Sequence, residues 1–206
     1  MSLSTKTKSS FFLRVIKKLS SQLTFLVLLF FWSCAGNIYE QMARDNPRKL
    51  LSLKDSLLQS EPSSKTISSI VLAHKLLGQK AIDVEKYEYA LDHFTSVLKL
   101  SPKDTLSIYN TLLLKGHISY GSGKKDRLWD AIEAYNKAAL VLEYLGEPHY
   151  YIGMSYYKIS DKDFDLIIES YDRALELELS AELRKATSEA RKDVMIREKK
   201  LKDFWK

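Results

Sequence analysis

The fold is decided by residues 75–104, KLLGQKAIDVEKYEYALDHFTSVLKLSPKD. Leu77 and Gly78 lie on a first helix, Asp83 to Lys86 make a turn, and Ala90, Phe94 and Val97 line one face of a second helix. Gly78 and Ala90 are small where two helices must approach closely, and Phe94 is the large side chain that fills the space beyond them. Pro102 cannot continue a helix and closes the unit.

The same pattern recurs twice downstream, with insertions. Gly116 replays Gly78, and Ala131, Tyr135 and Ala138 replay Ala90, Phe94 and Val97. In the third copy Gly153 and Tyr156 sit on the first helix, with Ile167, Tyr171 and Ala174 on the second. The three glycines are 38 and then 37 residues apart. Four extra residues before Gly116 read as one added helical turn, Gly121-Ser122-Gly123 as a turn insertion, and two more residues fall near Ser160 to Asp163. Insertions at turns leave the packed faces alone and cost little.

Gly to Ala at twelve, Ala to Phe at four and Phe to Pro at eight resembles the tetratricopeptide repeat, whose pattern runs Trp, Leu-Gly, Tyr, Ala, Phe, Pro over 34 residues. His74 stands at the Trp position and Ala81 at the Tyr position, while Tyr87 fits just before the second helix. The resemblance implies an all-α fold, a right-handed superhelical solenoid of about three helix hairpins over residues 65–179. The low counts of Gly (7) and Pro (4) in 206 residues suit an all-helical chain. Helices are expected at about Thr66 to Ile82, Tyr87 to Leu100, Thr105 to Tyr120, Arg127 to Glu143, Pro148 to Ile159 and Phe164 to Glu178.

Both ends of the array carry cover. Pro47, capped by Asp45 or Asn46, opens a helix whose apolar face is Leu50, Leu51, Leu53, Leu57 and Leu58, so residues 34–64 read as a tether leading into an N-terminal half repeat. Ser180 caps a long C-terminal capping helix over residues 180–206, with Leu183, Ala186, Ala190, Val194, Arg197 and Leu201 along one stripe. Phe204 and Trp205 are expected to be its last packing contacts, with an exposed partner site as the other reading.

Residues 1–33 read as a signal peptide of the lipoprotein type. Lys6, Lys8, Arg14, Lys17 and Lys18 precede Leu23 to Trp32, a run of ten residues in which only Thr24 is not apolar. Ten residues fall short of the roughly 20 needed to span a bilayer. A basic stretch, a short apolar core and then small residues is the order of a secretory leader. Cys34, the only cysteine, follows at once in LLFFWSCAGN, which resembles the lipobox of bacterial lipoproteins. Ser33 suits the small residue before the cysteine, whereas Phe31 and Trp32 depart from the usual Leu and small residue. The resemblance implies diacylglyceryl transfer to the Cys34 thiol and cleavage before it. Acyl chains there would anchor the protein, each buried methylene contributing about 0.8 kcal/mol. Cleavage before Gly36 stays open, because Ser33 and Ala35 satisfy a small-x-small rule. The resemblance also places the mature protein in the cell envelope, at the outer membrane or the periplasmic face, since Ala35 is not the Asp that retains lipoproteins in the inner membrane.

Charge excludes one class of partner. The net charge of +6 falls to +1 once residues 1–33 are removed, leaving 27 basic against 26 acidic residues. Phosphate recognition needs a surplus of Lys and Arg on one surface, so nucleic acid is not an expected partner. Nor do the motifs point to an enzyme, a metal or a cofactor. His74, His93, His117 and His149 are dispersed, and Asp161, Asp163 and Asp165 lack the Gly and Glu of a calcium loop. Gly121-Ser122-Gly123-Lys124-Lys125 lacks the spacer of a phosphate loop, and no Gly-x-Ser-x-Gly elbow occurs.

What remains is a surface. In the repeat family the first helix of each hairpin lines a concave groove that takes a peptide or a partner helix. Carried over position by position, the groove residues are Lys75 and Gln79 in the first unit, Asn110, Leu113, His117 and Tyr120 in the second, and Glu147, Tyr150, Met154 and Tyr157 in the third. Tyrosines supply large rigid contacts with a polar tip, as recognition surfaces often do; the other reading is that several simply pack against neighbouring helices. In layout the chain resembles repeat-containing lipoproteins of outer-membrane assembly and pilus biogenesis. The function expected is therefore that of a membrane-anchored scaffold for another protein. The alternatives are an exported enzyme or ligand receptor with a pocket between the array and the C-terminal helix, and a surface protein binding host molecules.

Overall fold

The computed structural model describes residues 38–60 and 62–205. The expected signal peptide, Cys34 and both cleavage positions lie outside the described residues. Among the described residues ten helices follow one another: α1 (Ile38–Asp45), α2 (Pro47–Ser52), α3 (Lys54–Gln59), α4 (Ser64–Ile82), α5 (Tyr87–Leu100), α6 (Thr105–Gly121), α7 (Lys125–Val141), α8 (Glu147–Ile159), α9 (Phe164–Glu176) and α10 (Ala181–Phe204). From α4 onward each helix packs mainly on its neighbours in sequence, while α1 and α2 pack on α4, which makes the fold an all-α solenoid.

Helices α4 and α5, α6 and α7, and α8 and α9 form three hairpins with one closing contact in common. A Cβ placed on Gly78 would stand 2.8 Å from the Phe94 ring, one on Gly116 2.3 Å from Tyr135, and one on Gly153 2.6 Å from Tyr171. The three rings are fully buried, as are Ala90, Ala131 and Ala174. These are the repeat positions read in the sequence, so the hairpins are of the tetratricopeptide type.

Helix starts follow local hydrogen-bonding chemistry. Ser63, Asp104 and Ser180 each accept a hydrogen bond from the backbone N–H three residues on, at 3.1, 2.9 and 3.1 Å, and so begin α4, α6 and α10. Lys75 Nζ donates to the second oxygen of Asp104 at 2.6 Å and ties the first hairpin to the start of the next. Gly123, with φ of 69°, supplies the left-handed turn of the inserted loop before α7.

Two helix ends fall short of expectation, for one reason. Glu178 is drawn into an isolated bridge with Leu145, its N–H donating to Tyr144 O at 2.9 Å while Gly146 N–H donates to Glu178 O at 2.8 Å. The backbone on both sides leaves the helical region, so α7 stops at Val141 and α9 at Glu176. Gly146 is required there, since a Cβ would lie 2.3 Å from Ala174 O.

The ends of the array are built as follows. Asn46 caps α2 by accepting from Lys49 N at 3.1 Å, as the sequence suggested, yet a helix already precedes it. Ala43 of α1 and Leu50 of α2 bury completely against Ala73 of α4. At the other end Arg184 donates to the carbonyls of Leu175 and Leu177, both at 2.8 Å, closing the C-terminus of α9. Thr187 and Val194 are buried under α10, and Arg191 forks onto the Asp172 carboxylate. The expectation for Phe204 and Trp205 is corrected: they are 78% and 77% exposed and touch each other edge to face. The solenoid surface ends before them, so α10 runs past the array it covers. No helix among the described residues is long and apolar enough to cross a membrane.

Candidate functional site

His117, on α6, stands at the centre of the ring contacts between the three hairpins. This residue follows Gly116, so the close approach of α6 and α7 carries its ring to Tyr135, with Nδ1 3.0 Å from the Tyr135 hydroxyl. The Tyr87 and Tyr151 rings lie 4.9 and 4.4 Å from it between centroids. Tyr151 in turn stacks on Tyr135 at 5.4 Å and meets Tyr150 at 5.0 Å, which continues to Tyr171 at 6.1 Å. Three hairpins thus share one aromatic seam. Burial pushes the His117 pKa down to about 4, so the imidazole is neutral near pH 7, and burial also raises the tyrosine hydroxyls.

Glu147 supplies the charge. It opens α8, and its Oε2 accepts a hydrogen bond from the Tyr109 hydroxyl at 3.2 Å. Burial raises its pKa, against the opposing pull of that hydrogen bond. Among the described residues it forms no ion pair. Glu85, at the tip of the α4–α5 turn and exposed, is the second carboxylate of this region. Burial, followed by the fields of Glu85 and Glu147, raises the Tyr87 hydroxyl; the same two carboxylates act on Tyr151.

The remaining predicted groove residues divide by environment. Tyr120 lies beneath Lys158, whose Nζ is 3.7 Å from the ring centroid. Tyr157 is exposed and accepts a hydrogen bond from Arg197, which also pairs with Asp161. Tyr150 and Met154 pack toward Tyr171 and Val194 under α10. Lys75 is committed to Asp104, and Gln79 donates to Asp83 at 3.1 Å on the exposed side of α4. Asn110 is buried, and Leu113 belongs to the core with Tyr109 and Ala131. His117, Glu147 and Tyr150 therefore come together with one another, whereas Lys75 and Gln79 stand apart at the first hairpin.

Sequence reasoning did not place Tyr87, Tyr109, Tyr135 and Tyr151 in this site. Tyr135 fills the repeat's large position, and its hydroxyl, absent from Phe94 at the equivalent position, is the signal in the sequence that marks it. The adjacent Tyr150-Tyr151 pair is another, since neighbouring helical residues point in different directions and reach different partners.

Elsewhere, the space between α9 and the end of α10 forms a shallow depression of about 380 Å³ lined by Lys162, Asp163, Asp165, Glu198 and Lys202 among others. Among the described residues no group of three or more His, Cys, Asp or Glu is placed to hold a metal ion.

No family model matches the chain, and no curated protein does. Similar solved structures include the first TPR of Spaghetti (RPAP3) bound to HSP90 peptide SRMEEVD, 17% identical over 61% of this chain and 93% of that one, with a TM-score of 0.42. MamA 41-end from Desulfovibrio magneticus RS-1 is 16% identical over 81% and 98%, with a TM-score of 0.44. The MamA RS-1 ArsTM double mutant is 18% identical over 80% and 93%, also at 0.44.

Proposed function

We propose that this chain is an exported lipoprotein that holds a tetratricopeptide-type array at a membrane of the cell envelope and binds a segment of another protein along the inner face. The observation that carries the reading is the aromatic seam from Tyr87 through His117 and Tyr151 to Tyr150, in which half-buried tyrosines of the first and third hairpins meet on the buried His117 of the second. Rings held this way lose little freedom on binding, which is why Tyr is enriched where recognition energy concentrates. The anchoring half rests on Cys34 and the apolar core before it.

Two measurements test the two halves separately. Intact mass of the membrane-extracted protein should give a chain beginning at Cys34 with added acyl mass, lost in Cys34→Ser; a lipid-free chain beginning at Gly36 would make the protein a soluble exported adaptor. For the groove, Tyr150→Ala and Tyr157→Ala should release a partner while the circular-dichroism melt stays cooperative. Unchanged retention of that partner by both variants would remove the groove model.

A further inference from the structure

We infer that the inner face recognises a basic side chain, a lysine or arginine on an extended segment of the partner protein, held between the tyrosine rings of Tyr87 and Tyr151 and the carboxylates of Glu85 and Glu147. The inference rests on the groove reading above and says what kind of partner the groove fits.

Four observations converge on it. First, the rings of Tyr87 and Tyr151 flank the same His117, at 4.9 and 4.4 Å, and each is half-buried, so each keeps part of its surface open to solvent on either side of one imidazole. A pair of electron-rich ring faces favours a cation over any other polar group. Second, both ring hydroxyls lie within the fields of the same two carboxylates, Glu85 and Glu147. Neither carboxylate has an ion-pair partner among the described residues, although nine other acidic side chains do. Third, the chain's own cations already use this mode at two of the predicted groove tyrosines. Lys158 sits over Tyr120 at 3.7 Å, and the Arg197 guanidinium lies 5.2 Å from the Tyr157 ring centroid. Tyr87 and Tyr151 have no such occupant among the described residues. Fourth, the group behind the rings does not compete, because buried His117 stays neutral near pH 7.

Energetics point the same way. A largely buried carboxylate with one neutral hydrogen-bond donor carries an uncompensated desolvation cost, seen here as the raised Glu147 carboxyl. A cation brought beside it relieves that cost in a setting where screening by water is weak. An acidic segment would meet two carboxylates instead and be rejected.

The test pans a randomised 12-residue peptide library displayed on phage against the detergent-solubilised full-length chain, then measures enriched peptides as synthetic fluorescent probes. Peptides sharing one basic residue are expected, losing about tenfold or more in affinity when that residue becomes norleucine or when the chain carries Glu147→Gln. Glu147→Gln keeps an acceptor for Tyr109, and exposed Glu85→Gln serves as a second variant with no packing role. Enriched peptides that lack a basic residue yet are lost on Tyr150→Ala would overturn the cation assignment and leave the groove reading standing. Peptides unaffected by Tyr150→Ala and Tyr157→Ala as well as by Glu147→Gln would overturn both.

Discussion

Gly116 and Tyr135 meet so closely that a methyl group on the glycine would lie 2.3 Å from the ring. The ring is fully buried and its hydroxyl is fixed to His117, so it cannot swing away. Gly116→Ala should therefore destabilise the protein by about 1–3 kcal/mol despite the better helix propensity of Ala. Gly121 is the control: a Cβ there meets nothing within 4 Å, and Gly121→Ala should be neutral or stabilise by up to about 1 kcal/mol. Chemical denaturation of the two variants separates the contact from the propensity.

Ala90 is the corresponding small residue on the second helix of the first hairpin, fully buried beside Phe94 and Leu114. Ala90→Leu should cost about 1–3 kcal/mol by overpacking. Unaltered thermal stability would mean that the α4–α5 contact is looser than its geometry.

Acid should weaken the fold through its buried histidines. His74 and His93 face each other with Nδ1 atoms 2.9 Å apart, and both Nε2 atoms are buried without a hydrogen-bond partner among the described residues. Burial, the His93 ring and Lys54 push His74 down to about 4; burial lowers His93, Asp92 opposing and Arg48 adding; His117 is also near 4. A base with a depressed folded pKa binds fewer protons when folded, so stability is retained above the unfolded value near 6.5 and falls as pH drops toward 4. Urea midpoints between pH 7 and pH 4.5 should decline, and His93→Phe should flatten that decline.

Glu147 has the opposite sign. Its folded pKa is raised, so the folded state holds the proton more tightly and this residue's contribution to stability falls as pH rises from its ordinary value of 4.5 through the folded one. Glu147→Gln should remove that component and leave Tyr109 with an acceptor. Titration of the 13C-labelled Glu147 carboxyl gives the folded value directly, and Tyr109→Phe should move it further up.

The hairpins were legible because their signal is volume. Gly78, Gly116 and Gly153 each meet a buried ring of the following helix, and turn insertions do not disturb that relation. Of the leucines expected on one helix face before the array, Leu50 buries fully, whereas Leu53 is 42% exposed where α2 gives way to α3. What escaped was set by partners distant in sequence. Glu178 leaves α9 because it bridges to Leu145, and nothing near Glu178 announces it. Phe204 and Trp205 are apolar enough to pack, but α10 outruns the surface that would cover them. In the site, family positions reached His117, Glu147 and Tyr150, whereas Tyr87 and Tyr151 join only because adjacent hairpins lean their rings onto one imidazole.

The central claim is that the protein meets its partner on the inner face, and photo-crosslinking in living cells tests it most directly. A benzophenone amino acid replaces half-buried Tyr150 in one strain and Leu140, which is 74% exposed on α7, in another. The account predicts a discrete crosslinked species from position 150 that is absent from position 140. Crosslinks from position 140 alone, or identical products from both, would contradict it.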